Sequence, residues 1–464
     1  MSEPARSESG KGRYWAILSI SFGTGLLVMD NTIVVVALPA IAADLGVSRS
    51  TTVLVVTLYQ LTLLMALLPF SALGDVVGHR RMYQGGQALF LFATIGCLLA
   101  DSFTALVIAR TAQALGVAAA LSVSIALIRR IYPPHLLGRG LGLNALIVAS
   151  AAALAPALGG YILSLGSWRW VFAAAVPLAL ISLAASQLLP RPAPVQSSFD
   201  VAGAVLTALM FGALIGGLEV FVHGGPVLIA VLVMGCGLLV SVAVIRREIR
   251  RPRPILPVDL LGRPAFSVGA LAALAAFMGS MSFMLYLPFR LQDGYGFSPG
   301  EAGAIIAAWP LAMMLAGPVA GALSDKAPKG LLGAIGMGLT SFALLSMSRL
   351  PPDPANIDFA WRLMLGGAGF GFFMSPNAHL MLRVTPPDRT ASAGALVSAT
   401  RLTGQTLGAT LITVIFAFQI GQFAGAPLIA AGLTLTAALC SLSQLRLAAQ
   451  PGKHPPPPDR KDTP

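Results

Sequence analysis

Apolar residues in this chain come in blocks of about twenty, separated by short polar or basic breaks. Fourteen blocks run approximately 15–38, 52–73, 82–100, 103–128, 140–163, 169–189 and 201–221, then 226–245, 266–288, 300–323, 330–348, 360–382, 391–416 and 425–445. A helix rises 1.5 Å per residue, so a block of this size crosses a hydrocarbon layer roughly 30 Å thick. The pattern predicts an all-α polytopic membrane protein with fourteen spans. The first block follows the polar leader Met1–Arg13, is too long for the apolar region of a signal peptide and has no small-residue cleavage site. It reads as an uncleaved first helix.

Composition agrees. Of 464 residues, 56% are apolar and only 10% charged, against about a quarter charged in a soluble protein. Too few polar side chains are present to coat a water-soluble globule of this size, which excludes an aqueous enzyme. Cys97, Cys236 and Cys440 each stand alone inside an apolar block, a spacing that fits neither a metal site nor a disulfide framework. The chain has 25 Arg against 5 Lys with abundant Ala and Gly, which points to a GC-rich bacterial genome and so to a bacterial cytoplasmic (inner) membrane.

The net charge of +12 gains its meaning from placement. Twenty-three of the thirty Lys and Arg fall at the N-terminus, at the C-terminus and in alternate loops, against four (Arg49, Arg169, Arg290 and Arg349) in the opposite loops. Positive charge stays on the cytoplasmic side, so both termini are expected there, and no nucleic-acid partner is implied. A miscounted span would scramble the asymmetry, which supports an even number. The Pro-rich tail, with Pro455–Pro458, reads as a solvated end.

The two halves echo each other at a nearly fixed offset. Ser71–Asp75 is matched by Gly321–Asp325, Arg110 by Arg362, and Arg130–Pro134 by Arg383–Pro387. The expected organisation is a cytoplasmic leader (1–14), a six-helix bundle (15–189), linkers with an inserted pair of spans (190–265), a second six-helix bundle (266–445) and a cytoplasmic tail (446–464). Parallel six-span repeats are a transporter architecture, with the substrate near the midplane between halves that rock.

Asp30 is the most costly residue in the chain. It stands in an uninterrupted apolar span, where a carboxylate must be hydrated, paired or protonated. It is the candidate proton- or substrate-responsive acid; the alternative is a structural carboxylate bonded to a neighbouring helix. Arg110 and Arg401 lie within spans and must face protein or water, as modulators of a carboxylate or as internal ion pairs. Asp75, with Gly78 and Arg80, occupies a glycine-bearing turn and is echoed by Asp325. These four are candidate gate residues, Asp75 serving as helix cap or arginine partner, against the alternative of a solvated loop.

Pro156, Gly159 and Gly160 combine a kink-prone proline with small residues suited to close helix contact, and Gly317–Gly321 has a similar character. Glu219 and Glu301 read as interfacial acids near span ends, with cation attraction as the lesser alternative. Gln113, Phe277, Met281, Met284, Phe370, Met374 and Gln405 are candidate cavity-lining residues, because aromatic and thioether surfaces suit greasy cations. Ordinary helix packing explains the same pattern. No phosphate-cradling G-x-x-x-x-G-K-[ST] and no H-E-x-x-H occurs, so no cofactor or metal is expected and energy must come from an ion gradient. One charge moving through 100 mV releases roughly 2.3 kcal/mol, or about fiftyfold in solute concentration.

With these residues in view, the chain resembles the major facilitator superfamily, in particular its fourteen-span drug:proton antiporter branch of quaternary-ammonium and multidrug exporters. The Asp30 segment is similar to that branch's first span, Ser71–Arg81 to motif A (G-x-L-a-D-r-x-G-r-k), Arg110–Gly116 to motif B and Ala155–Gly160 to the antiporter motif C (G-P-x-x-G-G). Ser71, Val76, His79, Ala114 and Ala155 depart from those patterns, whereas Asp75, Arg110, Gln113, Pro156, Gly159 and Gly160 keep them. The resemblance implies proton-driven export of amphipathic, often cationic, drugs by a protein acting as a monomer, with Asp30 as the coupling acid. The alternative is a dedicated proton-coupled exporter of one metabolite or antibiotic, possibly anionic, with Arg401 as counter-charge.

Overall fold

The computed structural model describes residues 10–132, 136–189, 199–251, 254–324, 326–351, 353–385, 389–421 and 424–448. Fourteen α-helices follow one another: α1 (Gly10–Leu45), α2 (Arg49–Val77), α3 (His79–Leu98), α4 (Phe103–Ile131), α5 (Leu137–Ser164), α6 (Arg169–Ala185), α7 (Val201–Val222), α8 (Val227–Ile249), α9 (Pro264–Phe289), α10 (Pro299–Ser324), α11 (Lys329–Met347), α12 (Asn356–Arg383), α13 (Thr390–Ala417) and α14 (Gly425–Ala448). Among the described residues, eleven are apolar and long enough to cross a membrane. The other three, α3, α12 and α13, carry a heavier load of polar and charged residues but complete the same bundles.

Helix ends follow local chemistry. Ser48 accepts a bond from Thr51 N at 3.1 Å, Ser102 from Ala105 N at 3.3 Å and Asp200 from Gly203 N at 3.1 Å, each relieving an orphan donor at a helix start. The helices outrun the apolar blocks. The first block ends before Pro39, yet Pro39 lies inside α1, whose 36 residues measure about 54 Å. Asp75, expected in a turn, belongs to the last turn of α2, and the turn itself is little more than Gly78, whose φ of 100° suits only glycine.

Helices α1–α6 pack into one bundle and α9–α14 into another, with α7 and α8 paired as a hairpin. The bundles meet along α5 against α10, α2 against α13 and α1 against α9. Helix α7 leans on α2 and α13 together, so the inserted hairpin sits astride the seam between the bundles. Large apolar side chains of α8, such as Leu228, Leu232 and Leu239, are exposed, as expected of a lipid-facing helix.

Candidate functional site: a buried ion pair beside a one-sided seam

Asp30 lies near the middle of α1 and is 2% exposed. Its Oδ2 accepts from Arg110 Nη1 of α4 at 2.7 Å, and its Oδ1 accepts from Gln113 Nε2 at 3.2 Å. Gln113 also accepts from Arg110 through Oε1 and donates to Thr94 Oγ1 at 2.8 Å. The guanidinium carbon of Arg110 stands 4.3 Å from the centre of the Tyr59 ring, within cation–π range. Arg110 Nε and Nη2 have no hydrogen-bond partner among the described residues. Asp30 is thus paired but Arg110 is under-satisfied, and breaking such a buried pair leaves an uncompensated charge.

Asp30 also borders a cavity. Leu26, Met29 and Ile33 of α1, Leu158 and Ile162 of α5, and Val171 of α6 join it in lining this cavity of about 190 Å³. The remaining walls are apolar as well, so Asp30 is the one charged side chain lining it.

The seam between bundles is closed at one end. A Cβ on Gly160 of α5 would overlap the Pro299 carbonyl and lie 3.0 Å from Gly303 Cα of α10, and a Cβ on Gly303 would overlap the Pro156 carbonyl. Glycines here allow backbone-to-backbone contact. Gly159 performs the same service against Ile33 of α1. At that face Arg49 of α2 pairs with Asp293 at 2.9 Å, and Gln292 Nε2 donates to the Val36 carbonyl of α1 at 3.1 Å. Both acceptor and donor from the second bundle ride on a π-helical turn, Arg290–Gly294, that follows Pro288. Toward the arginine-rich face α5 and α10 diverge. Ser150 still reaches Met314 Sδ at 3.7 Å, but Gly317 and Gly321 meet nothing within 4 Å.

Several sequence expectations change. Gln113 and Phe370, expected to line a cavity, are 0% and 3% exposed. Gln113 belongs to the ion-pair network, while Phe370 stacks edge-on to Phe277 with centroids 5.2 Å apart. Phe277 and Met281 press against Gly404 and Gly408 of α13, so they are helix-contact residues. Met284 and Gln405 are half-buried and Met374 is exposed. Asp75 pairs with His79 Nε2 at 2.9 Å rather than with an arginine, and Arg80 donates to the Gln187 carbonyl at 2.9 Å within the first bundle. Asp325 lies outside the described residues. Arg401 is exposed in the first half of α13 and has no ion-pair partner among the described residues.

Pro156 and Gly160 make a close helix contact, with Pro299–Gly303 across the seam rather than with the similar Gly317–Gly321 segment. The gate pair Arg49–Asp293 was not foreseen, since loop charges far apart in sequence give no sign of their partners. Glu301 is a helix-capping residue, its Oε2 accepting from Ser298 N and Oγ at 2.9 and 2.7 Å. The S-x-x-E spacing ahead of α10 was a readable signal for it. Glu219 is buried rather than interfacial, at 5% exposure.

The Major Facilitator Superfamily family model matches residues 20–409 and 269–464. An uncharacterized transporter of Escherichia coli K12, YebQ, is 40% identical over 94% of this chain and 96% of its own length. The riboflavin transporter RibZ of Clostridioides difficile is 27% identical over 88% of this chain and 89% of its own. The tetracenomycin C resistance and export protein of Streptomyces glaucescens is 28% identical over 89% and 78% respectively. Among solved structures, a peptide transporter POT in complex with sulfate superposes with a TM-score of 0.73 at 15% identity, covering 96% of both chains. That likeness concerns the fold.

Proposed function

The chain belongs to the major facilitator superfamily, and on that premise we propose that it is a proton-coupled antiporter exporting amphipathic, cationic compounds. As a multi-pass secondary transporter of small molecules it is no enzyme. What carries the reading is the carboxylate of Asp30, paired to Arg110 at the edge of an apolar cavity.

The positive-inside asymmetry puts the arginine-rich face, with both termini, in the cytoplasm. The Gly160–Gly303 contact and the Arg49–Asp293 pair then lie on the external side, and the state described is closed outward. From the cytoplasm, a lipophilic cation can lodge its apolar body against Leu26, Ile33 and Leu158 and its charge on Asp30, displacing Arg110. The cavity is smaller than the 300 Å³ or more of ordinary ligand sites. Substrate entry therefore needs the α1–α5–α6 wall to widen, or only part of the solute is held there. With the outward side open, a proton on Asp30 removes the negative charge and expels the cation. Proton and cation thus compete for one carboxylate, which is the minimum requirement for antiport. The similarity to the tetracenomycin C export protein supports export.

In proteoliposomes, a lipophilic cation such as ethidium should drive proton movement in the native protein and none in Asp30→Asn. Undiminished substrate-driven proton flux in that variant would remove Asp30 from the coupling path.

A second reading has its own support. Arg401 is exposed within a span and unpaired among the described residues, and a relative carries the name of a riboflavin transporter. A dedicated exporter of one anionic metabolite would use Arg401 as its counter-charge. Uptake into inverted vesicles of anionic against cationic solutes separates the two readings, with Arg401→Gln abolishing transport only in the anionic case.

A further inference from the structure

The inserted hairpin holds a second buried acid. Glu219 sits in the last turn of α7, and neither of its carboxyl oxygens has a hydrogen-bond partner among the described residues. One turn on, His223 Nδ1 donates to the Glu219 backbone carbonyl at 2.9 Å and lies 3.5 Å from Oε2, too far for a good hydrogen bond. With its Nδ1 proton committed in this way, His223 presents an unpartnered Nε2. Across the contact with α13, Thr410 faces the carboxyl, but its hydroxyl proton is donated to the Thr406 carbonyl at 3.2 Å. While that bond is kept, Thr410 has no second proton to give Glu219.

Apart from His223, no basic side chain among the described residues approaches the carboxyl. The charges of α8 lie at its far end, in Arg246, Arg247 and Glu248, and Arg49 of α2 is engaged by Asp293. Asp75 lies at the opposite end of α2, and Arg401 is nine residues from Thr410 along α13, roughly 13 Å of helix rise. A buried carboxylate without donors is costly, whereas a neutral carboxyl brings the one hydrogen its surroundings lack. The wall that encloses it is also the moving part. Helix α7 touches α2 of the first bundle and α13 of the second, so any rocking of the bundles changes what covers Glu219.

We propose that Glu219 is a second proton-binding site, shielded while the Gly160–Gly303 face is closed and opened to water beside His223 when that face parts. The inference rests on alternating access between the bundles and is independent of the substrate and of Asp30. The test is infrared spectroscopy of the full chain in nanodiscs at neutral pH. A protonated-carboxyl stretch, shifting in heavy water, is expected in the native protein and in Asp30→Asn and is lost in Glu219→Gln. The same band is expected to be lost in Gly160→Trp, whose side chain holds α5 and α10 apart. Should Gly160→Trp fail to fold, the Arg49→Ala, Asp293→Ala double variant releases the same face. An unchanged band in Glu219→Gln overturns the proposal, and so does a Glu219 band that survives opening, which marks a static structural acid. A failure of the export reading would appear instead as unaltered proton flux in Asp30→Asn and leave these spectra as they are.

Discussion

Arg110 and Arg362 hold equivalent places in the two halves of the chain, yet they make different bonds. Arg110 reaches across to Asp30 on α1, and both side chains are 1% exposed. Arg362 pairs at 3.3 Å with Asp358, one turn earlier on the same helix, and lies against the ring of Trp361 at 4.4 Å. The repeat offset that links the arginines takes Asp30 to the neighbourhood of Ser280–Phe283 in α9, where no acid stands. The half-repeat has kept its cation and its fold while losing the long-range carboxylate. Among the described residues, the ion pair between helices with both side chains fully buried is Asp30–Arg110 of the first bundle, and a proton on Asp30 changes how those two helices are tied together.

The comparison can be broken most forcefully at Arg110. Truncating one partner of a buried pair strands the other, at about 3–5 kcal/mol. Arg110→Ala should lower thermal stability markedly in detergent, and adding Asp30→Asn should restore part of it. If the double variant loses as much as the sum of the singles, the two residues are not energetically coupled.

A smaller effect is expected at the seam. Gly160→Leu collides with Pro299 and Gly303, so it should leave the bundles folded but prevent closure, cutting steady-state transport at least tenfold. Cysteine cross-linking between the ends of α5 and α10 would check this; cross-linking as efficient as in a native-Gly160 background would contradict it. The smallest effect belongs to Arg362→Ala. A partly solvated pair one turn apart contributes about 0.3–0.5 kcal/mol, so its melting temperature should stay within a degree or two of native. A loss comparable to that of Arg110→Ala would show that the halves are more alike than their bonds imply.

Much of the architecture was open to reading. Apolar block length, the alternation of Arg-rich loops and the three repeat echoes are one-dimensional quantities, and they lead to fourteen helices in two sets with a hairpin between. The isolation of Asp30 in apolar sequence was equally visible, because burying a charge is costly wherever it occurs. Its partner could be narrowed to a few in-span arginines. By contrast, Gln113 read as a cavity residue, since the sequence does not say which side of α4 meets α1. Glu219 read as interfacial because α7 is apolar all round, which hides the face that turns toward α13.

The chain by itself determined how many helices form, how the halves relate and that one acid must be compensated, since hydrophobic length, charge asymmetry and desolvation act along or at single positions. Only the tertiary structure decided that Asp30 is bound to Arg110 and Gln113, that Gly160 meets Gly303 rather than Gly317, and that Arg49 and Asp293 close one face. Those facts depend on helix rotation and on contacts between residues up to about 250 positions apart. Rotation is set by packing against neighbours, and packing has no signature until the neighbours are in place.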